Sequence, residues 1–177
     1  MRAPAPAADL SDAADVGRAI DAQRVADATR DWMTAGDRAS RALGMQVKAV
    51  GPGSATLTMV VREDMLNGHD LCHGGVVATL ADSAFAYACN AYNEVTVASG
   101  FDIDLVAAAR LGDLLTATAA EVARSGRTGL YDIEVTNQHA QRVAAFRGRS
   151  YTVKGKALIE GLPVGKAFAH GGRHDKT

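Results

Sequence analysis

The chain has 177 residues, of which 47% are hydrophobic and 22% charged, and this composition is typical of one globular domain. Lysine and arginine together number 19 against 20 acidic residues, so the net charge of −1 provides no broad positive field for nucleic acid or an anionic membrane. The sequence has no run of about 18 apolar residues that would predict a transmembrane helix, and its start lacks the apolar core of a signal peptide. We therefore expect a cytoplasmic protein, whose two cysteines do not form a disulfide framework.

The chain opens with a low-complexity segment. Residues 1–20 are rich in small and acidic side chains, and we expect a flexible leader there. Apolar residues at helical spacing then predict a first helix: Ile20, Val25, Ala28 and Trp32. A short second helical segment is predicted over residues 37–43, and Gly44 ends it.

Alternating apolar and polar residues next predict six strands, interrupted by one long helix over about residues 73–91. The predicted strands are residues 45–50, 54–62, 95–106, 114–124, 128–137 and 142–153. Short polar turns join the last three strands, which favours an antiparallel meander. One long helix within one antiparallel sheet predicts an α+β fold in which the sheet wraps around the helix. Residues 21–154 would form this domain, and residues 155–177 a flexible tail.

The long helix carries an acidic residue that its surroundings disfavour. The helix is apolar on nearly every side, so we expect it to be buried, yet Asp82 lies at its middle. A buried carboxylate is costly unless it is paired or lines a cavity, and such groups concentrate at functional sites. Asp82 is therefore the candidate catalytic acid. The alternative is a structural acid that neighbouring Asn or Ser side chains hold.

The helix begins with two glycines, Gly74 and Gly75, which would expose backbone N–H groups at its positive end. These groups could stabilise an oxyanion that develops on a carbonyl under attack, although a plain glycine-rich turn is the alternative. Gly74 lies eight residues before Asp82, or about 12 Å along the helix axis, which is too far for both to act on one carbonyl. A two-fold dimer with antiparallel helices would place Asp82 of one subunit beside Gly74 of the other. The sequence thus predicts an obligate oligomer with two sites per dimer.

Metal and thiol chemistry are the other possibilities at this segment. His69, Cys72 and His73 could be metal ligands, but structural zinc requires four ligands at set spacing and no second pair follows. Nothing marks a Cys72 thiolate as stabilised, so a nucleophilic role is not favoured. His170 and His174 in the tail could bind a metal, but a solvated tail is the simpler interpretation. We therefore expect no metal and no cofactor.

At these residues the sequence resembles the hotdog-fold thioesterases of phenylacetate degradation, the hydroxyphenylacetyl-CoA thioesterase family. The similarity covers about residues 43–153. The matching runs are Leu66-Asn67-Gly68-His69, Cys72-His73-Gly74-Gly75, Leu80-Ala81-Asp82, Ala84-Phe85-Ala86-Tyr87-Ala88-Cys89-Asn90, Gly112-Asp113, Thr128-Gly129, Tyr131-Asp132-Ile133-Glu134 and Phe146-Arg147-Gly148. The resemblance implies a hotdog fold and hydrolysis of phenylacetyl- or hydroxyphenylacetyl-CoA by a homotetramer, a dimer of dimers.

The resemblance also implies catalytic roles for four residues. Asp82 would act as the nucleophile or as the general base for water, and both routes stay open. The N–H of Gly74 would polarise the thioester carbonyl, and Asn67 would orient that carbonyl or the attacking water. His73 would shape the start of the helix rather than act as the base.

Substrate binding is assigned to four further positions. Gly75, at the start of the helix, is one of them. The turn with Arg127 and Thr128 is our choice for contacts to the CoA phosphates, because related chains often have a basic residue there. A solvated strand edge is the alternative for these basic residues. Related chains often carry Asn or Asp on the short N-terminal helix, at the acyl end of the pocket. This chain has Gly36 and Asp37 there, and either one could align. Asp37 is the binding residue that we predict.

Two rival functions remain within the same fold. A hotdog hydratase or dehydratase would pair a His base with an acid, but its usual His-Phe-Pro and Pro-Gly context is missing. A non-catalytic acyl-CoA binding regulator would need a DNA-binding module, and the leading residues hold no convincing recognition helix. Thiol release from a CoA ester separates hydrolysis from both.

Overall fold

The computed structural model describes residues 10–165 as three helices, a 3₁₀ turn and one six-stranded sheet. The helices are α1 (Leu10–Gly36), α2 (Arg38–Ala42) and α3 (Gly74–Asn90), and the 3₁₀ turn is Glu63–Met65. The strands are β1 (Gln46–Gly51), β2 (Ser54–Val60), β3 (Glu94–Leu105), β4 (Leu114–Ser125), β5 (Thr128–Thr136) and β6 (Arg142–Ala157). The sheet order is β1-β2-β4-β5-β6-β3, and every neighbouring pair is antiparallel.

The predicted α+β class is confirmed, because one long helix packs against one antiparallel sheet of six strands. Two boundaries differ from the prediction by more than two residues. Helix α1 already begins at Leu10, since an alanine-rich segment has high helix propensity without any apolar periodicity. Strand β6 continues to Ala157, which still pairs with Glu94. Residues 1–9 of the predicted leader, and the tail with His170 and His174, lie outside the described residues.

The aromatic ring of Phe85 anchors α3 on the sheet. Its centroid lies 5.3 Å from that of Tyr131 and 6.1 Å from that of Phe146, at tilted angles that favour aromatic contact. A Cβ atom on Gly148 would come within 2.9 Å of the Phe85 ring, so β6 needs a glycine there for this approach. Burial of one such ring stabilises the fold by roughly 1.5–3 kcal/mol. The helix is therefore held against the strands at its middle, close to Asp82.

The two edge strands of the sheet, β1 and β3, have different surroundings. Helix α1 covers β1, and the Gln23 side chain donates to the Val50 carbonyl at 2.8 Å. On the outer side of β3 no further strand pairs within residues 10–165, and three large apolar residues there are about half exposed: Val97, Phe101 and Leu105. None of the helices in this part of the chain has the length and apolarity needed to cross a membrane.

Candidate active site

Asp82 lies half-buried on the side of α3 that is turned away from the sheet. Its neighbours Ala81 and Ala84 are fully buried, so the acid is on the remaining face. Within residues 10–165 its carboxylate has no hydrogen-bond or ion-pair partner. The adjacent Ser83 hydroxyl contacts the Ser40 hydroxyl at 3.2 Å instead. Burial alone raises the pKa of the Asp82 carboxyl above its ordinary value, because no nearby cation stabilises the charged form.

The two glycines at the start of α3 have different roles. The Gly75 N–H donates to Nδ1 of His73, the N-cap residue, at 3.0 Å. This contact requires a neutral imidazole with its proton on Nε2. No acceptor for the Gly74 N–H is found among the described residues. The prediction of free N–H groups therefore holds for Gly74 but not for Gly75, whose amide His73 occupies.

Asn67 organises the loop that precedes α3. Its side-chain oxygen accepts from the His69 N–H at 2.9 Å and from the Leu71 N–H at 3.4 Å. With the oxygen used in this way, the Asn67 Nδ2 group has no acceptor in the described part of the chain. A cleft of about 350 Å³ brings Asn67 and Gly74 together, with Leu105 on its wall. Two N–H donors thus line one apolar cleft, which suits a carbonyl oxygen that gains charge.

The side chain of Leu105 lies close to the Cα atom of Gly74. A Cβ atom at Gly74 would lie 2.5 Å from Cδ1 of Leu105, at the end of β3. An alanine at position 74 would therefore require the half-exposed Leu105 side chain to move. Sequence reasoning missed Leu105, because no local signal relates the end of β3 to residue 74.

Asp37 lies in a second cleft, of about 390 Å³, among α1, α2, β1 and α3. It is the N-cap of α2, and its Oδ1 atom accepts from the Ser40 N–H at 3.0 Å. Thr34 and Tyr87 line the same cleft, with their hydroxyl oxygens 3.2 Å apart. Sequence reasoning assigned no role to either residue. A hydroxyl within the apolar α3 segment was the available signal for Tyr87.

Arg127 and Thr128 lie at the opposite end of the sheet from Gly74. Arg127 donates to the Tyr151 hydroxyl at 2.8 Å, and Thr128 donates to the Ser125 carbonyl at 3.0 Å. Tyr151 pairs with Val97 of β3. Eight residues of β3 separate Val97 from the Leu105 end, or about 26 Å. A single chain therefore does not bring Arg127 or Thr128 to the Gly74 cleft.

Metal binding and thiol catalysis were the alternatives considered for this segment. Within residues 10–165 no three His, Cys, Asp or Glu side chains lie close enough together to hold a metal ion. Cys72 is buried, and burial, followed by the charge of Asp113, raises the pKa of its thiol. A raised pKa disfavours the thiolate that a nucleophile requires.

Comparison with known proteins identifies the family. Residues 69–144 match the family model of the thioesterase superfamily. Over 123 residues the chain is 46% identical to an acyl-coenzyme A thioesterase of Escherichia coli strain K12, PaaI, an alignment that covers 70% of this chain and 88% of that protein. The solved structure of the E. coli PaaI protein from the phenylacetic acid degradation operon gives a TM-score of 0.74 at 42% identity, over 76% of this chain and 97% of that one. A Streptococcus mutans protein solved with acetyl CoA gives 0.60 at 25% identity, over 62% and 88%. These likenesses confirm the predicted hotdog fold, and the chain belongs to the thioesterase superfamily.

Proposed function

We propose that this protein hydrolyses aryl-acetyl-CoA thioesters, such as phenylacetyl- and hydroxyphenylacetyl-CoA, to the free acid and CoA. The observation that carries the proposal is the half-buried Asp82 carboxylate, which has no partner within residues 10–165 although its helix packs in the core. A free Gly74 N–H at the start of the same helix supplies the complementary electrophilic group. The activity of the E. coli relative, an acyl-coenzyme A thioesterase, supports the substrate class.

The reaction centre in this proposal is shared between two protomers. Gly74 and Asp82 lie about 12 Å apart along α3, so one chain cannot present both to a single carbonyl. A two-fold axis with antiparallel α3 helices would bring the partner's Asp82 to the Gly74 cleft, and the unpaired edge of β3 is available for this contact. The same axis would bring the partner's Arg127 toward that cleft, in reach of the CoA phosphates. Two such dimers would form a cytoplasmic homotetramer.

The chemistry follows from these groups. The thioester oxygen accepts from the Gly74 N–H, while the Asn67 Nδ2 group donates to that oxygen or to the attacking water. The partner's Asp82 either attacks the carbonyl carbon or removes a proton from a water molecule that attacks it. Direct attack gives a mixed anhydride and releases CoA as the thiolate, and water then cleaves the anhydride. Either route ends in the free acid and CoA, and His73 keeps the helix start in place by holding the Gly75 N–H.

The substitution Asp82→Asn tests this proposal directly. Asparagine keeps the size of the side chain but can neither attack nor accept a proton. We expect kcat for phenylacetyl-CoA, measured by thiol release, to fall about 10²- to 10⁴-fold, with the fold and ester binding retained. The matched control is Asp132→Asn, because Asp132 is exposed and pairs with Arg147 on another strand.

The outcomes of this test are distinct. Undiminished turnover by purified Asp82→Asn protein would remove Asp82 from the reaction. Wild-type protein that binds the ester without releasing thiol would instead favour a non-catalytic acyl-CoA binder. Hydration of an unsaturated acyl-CoA in place of thiol release would favour a hydratase.

A further inference from the structure

One arginine joins the end of α2 to the loop that leads into α3. The Arg62 guanidinium donates to the Leu43 carbonyl at 2.8 Å and to the Ala42 carbonyl at 3.2 Å. Asp64 holds the guanidinium through two further hydrogen bonds, at 3.0 Å from Nε and 2.9 Å from Nη2. Because both members of the Arg62–Asp64 pair are exposed, that ion pair should add little stability by itself. The contacts to the two carbonyls are therefore the informative ones.

The end of α2 explains why an arginine is placed there. The last carbonyls of a helix lack intrahelical partners. In α2 the N–H groups of residues 43–45 donate to the carbonyls of residues 39–41, and the next two carbonyls are the acceptors of Arg62. A Cβ atom on Gly44 would lie 3.2 Å from Nη1 of Arg62, so glycine at this position leaves room for the guanidinium. The arginine thus completes the hydrogen bonding of this helix end.

The backbone of Arg62 leads to the two N–H donors of the candidate site. Arg62 is the N-cap of the 3₁₀ turn, and its carbonyl accepts from the Met65 N–H at 3.1 Å. The Met65 carbonyl accepts from the His73 N–H at 2.8 Å, directly before Gly74. Asn67 follows Met65 by two residues on the same loop. Hydrogen bonds and short backbone steps therefore connect α2, through Arg62, to the segment that carries both donors.

This loop has few other contacts that could hold it in place. Between β2 and α3, over residues 61–73, only Val61, Met65 and Cys72 are buried. Segments with little buried apolar surface open locally at a low cost in free energy. A reacting group that is displaced by about 1 Å can lower a rate about 10²-fold. Polar contacts that fix the loop should therefore affect how accurately Asn67 and Gly74 are placed.

We propose that Arg62 is a positioning residue that fixes the loop with Asn67 and Gly74 against α2, and so aligns their N–H groups with the thioester carbonyl. The inference rests on the proposed thioesterase function and gives Arg62 no contact with the substrate. Because alignment with the developing oxyanion matters most in the transition state, the effect of Arg62 should appear in kcat rather than in KM.

The substitution Arg62→Met tests the inference in the full-length protein, with phenylacetyl-CoA as the ester. Methionine keeps an apolar stem but cannot donate to the carbonyls. We expect kcat to fall about 5- to 20-fold with KM unchanged, as for a displacement of less than 1 Å. Arg142→Met is the matched control, because Arg142 is also exposed and also pairs with a carboxylate, that of Glu134 on β5. This control should keep the wild-type kcat.

A double-mutant cycle with Asn67→Ala separates positioning from a general loss of stability. If Arg62 acts through the loop, the loss of Asn67 also removes part of what Arg62 aligns. The combined loss in kcat should then be clearly smaller than the product of the two single losses. Each variant is assayed well below its own thermal midpoint, so that unfolding does not contribute to the rates.

Arg62→Lys covers the case in which Arg62→Met does not fold. Lysine keeps the charge at the end of α2 but cannot contact two carbonyls and Asp64 together, so it should give an intermediate kcat and can replace Arg62→Met in the cycle. A wild-type kcat in the Arg62 variants, or single losses that multiply in the cycle, would overturn the inference and leave the proposed function intact. A wild type that releases thiol from neither phenylacetyl- nor hydroxyphenylacetyl-CoA would overturn the proposed function and the inference together.

Discussion

The two ends of α3 differ in how completely their polar groups are satisfied. At the C-terminal end, the Asn90 side chain donates to the Thr96 carbonyl at 2.9 Å and accepts from the Thr96 N–H at 2.9 Å. Asn90 thereby pairs with β3 as a neighbouring strand would. At the N-terminal end, the Gly74 N–H and the Asn67 Nδ2 group have no acceptor within residues 10–165. We call the C-terminal end, where Asn90 is fully paired, the closed end of α3, and the N-terminal end, at Gly74, the open end. The closed end holds the helix to the sheet, and the open end leaves N–H donors for a ligand.

A buried polar cluster reinforces the closed end. Glu121 accepts from the Tyr92 hydroxyl at 3.0 Å and from the Tyr131 hydroxyl at 2.7 Å with the same oxygen. This cluster ties the segment after α3 to β4 and β5, and both phenols have raised pKa values, chiefly because they are buried. Satisfied buried networks stabilise one structure, whereas unsatisfied groups at a cleft indicate function. The comparison therefore predicts loss of stability from changes at one end and loss of activity from changes at the other.

Among changes at the two ends of α3, the largest effect is expected from Gly74→Ala at the open end. The added methyl group would displace Leu105 and occupy the space in front of the amide, so the carbonyl could not approach closely. We expect kcat to fall about 10²-fold, as for a reacting group displaced by about 1 Å, with little change in the thermal midpoint. Gly68→Ala is the control in the same loop, since a Cβ atom there meets nothing within 4 Å. Full activity of Gly74→Ala would show that this amide is not at the reaction centre.

The two asparagines give the next test, because the same substitution should act differently at each end. Asn90→Ala leaves both backbone groups of buried Thr96 without these partners, so the free energy of unfolding should fall by about 2–4 kcal/mol. Asn67→Ala should cost about 1 kcal/mol, since its N–H partners lie near solvent, but should lower kcat more than Asn90→Ala does. Urea unfolding at one protein concentration and thiol release from phenylacetyl-CoA measure the two effects. A greater loss of stability in Asn67→Ala would contradict the division of the helix into two ends.

Much of the difference between the two ends of α3 could be predicted from the sequence, because the patterns that indicate it lie within short segments. Alternation predicted the strands, and an acid in an apolar helix and glycines at its start identified Asp82 and Gly74. The different states of the two glycine amides could not be predicted, since they depend on the rotamer of His73. The Thr34–Tyr87 contact joins residues 53 positions apart, and it follows from how α1 packs against α3 rather than from any motif.

The position of the basic turn shows a second limit of the sequence. Arg127 was chosen because related chains often carry a basic residue in this turn, and the sheet order alone determines that it lies far from Gly74 within one chain. Sequence patterns give strands and their alternation, but strand order depends on non-local pairing. The interpretation of Arg127 as a phosphate contact thus requires the second protomer, as does the joining of Gly74 with the partner's Asp82.

The smallest effect is a gain of stability from Asp82→Asn, which would separate catalysis from folding at the middle of α3. Burial raises the pKa of Asp82 in the folded protein above the ordinary value of 3.8, so the ionised form is less favourable in the folded than in the unfolded chain. At pH 7 the wild type carries this cost and the asparagine variant does not, so the variant should unfold at a higher urea concentration. The gain should stay below about 1 kcal/mol, because water screens a half-exposed carboxylate. It should shrink as the pH falls through the raised pKa and vanish well below pH 3.8, where Asp82 is protonated in both states. A variant less stable than the wild type at pH 7 would mean that the carboxylate makes a stabilising contact, and Asp82 would then belong with the closed end of the helix rather than with the reaction centre.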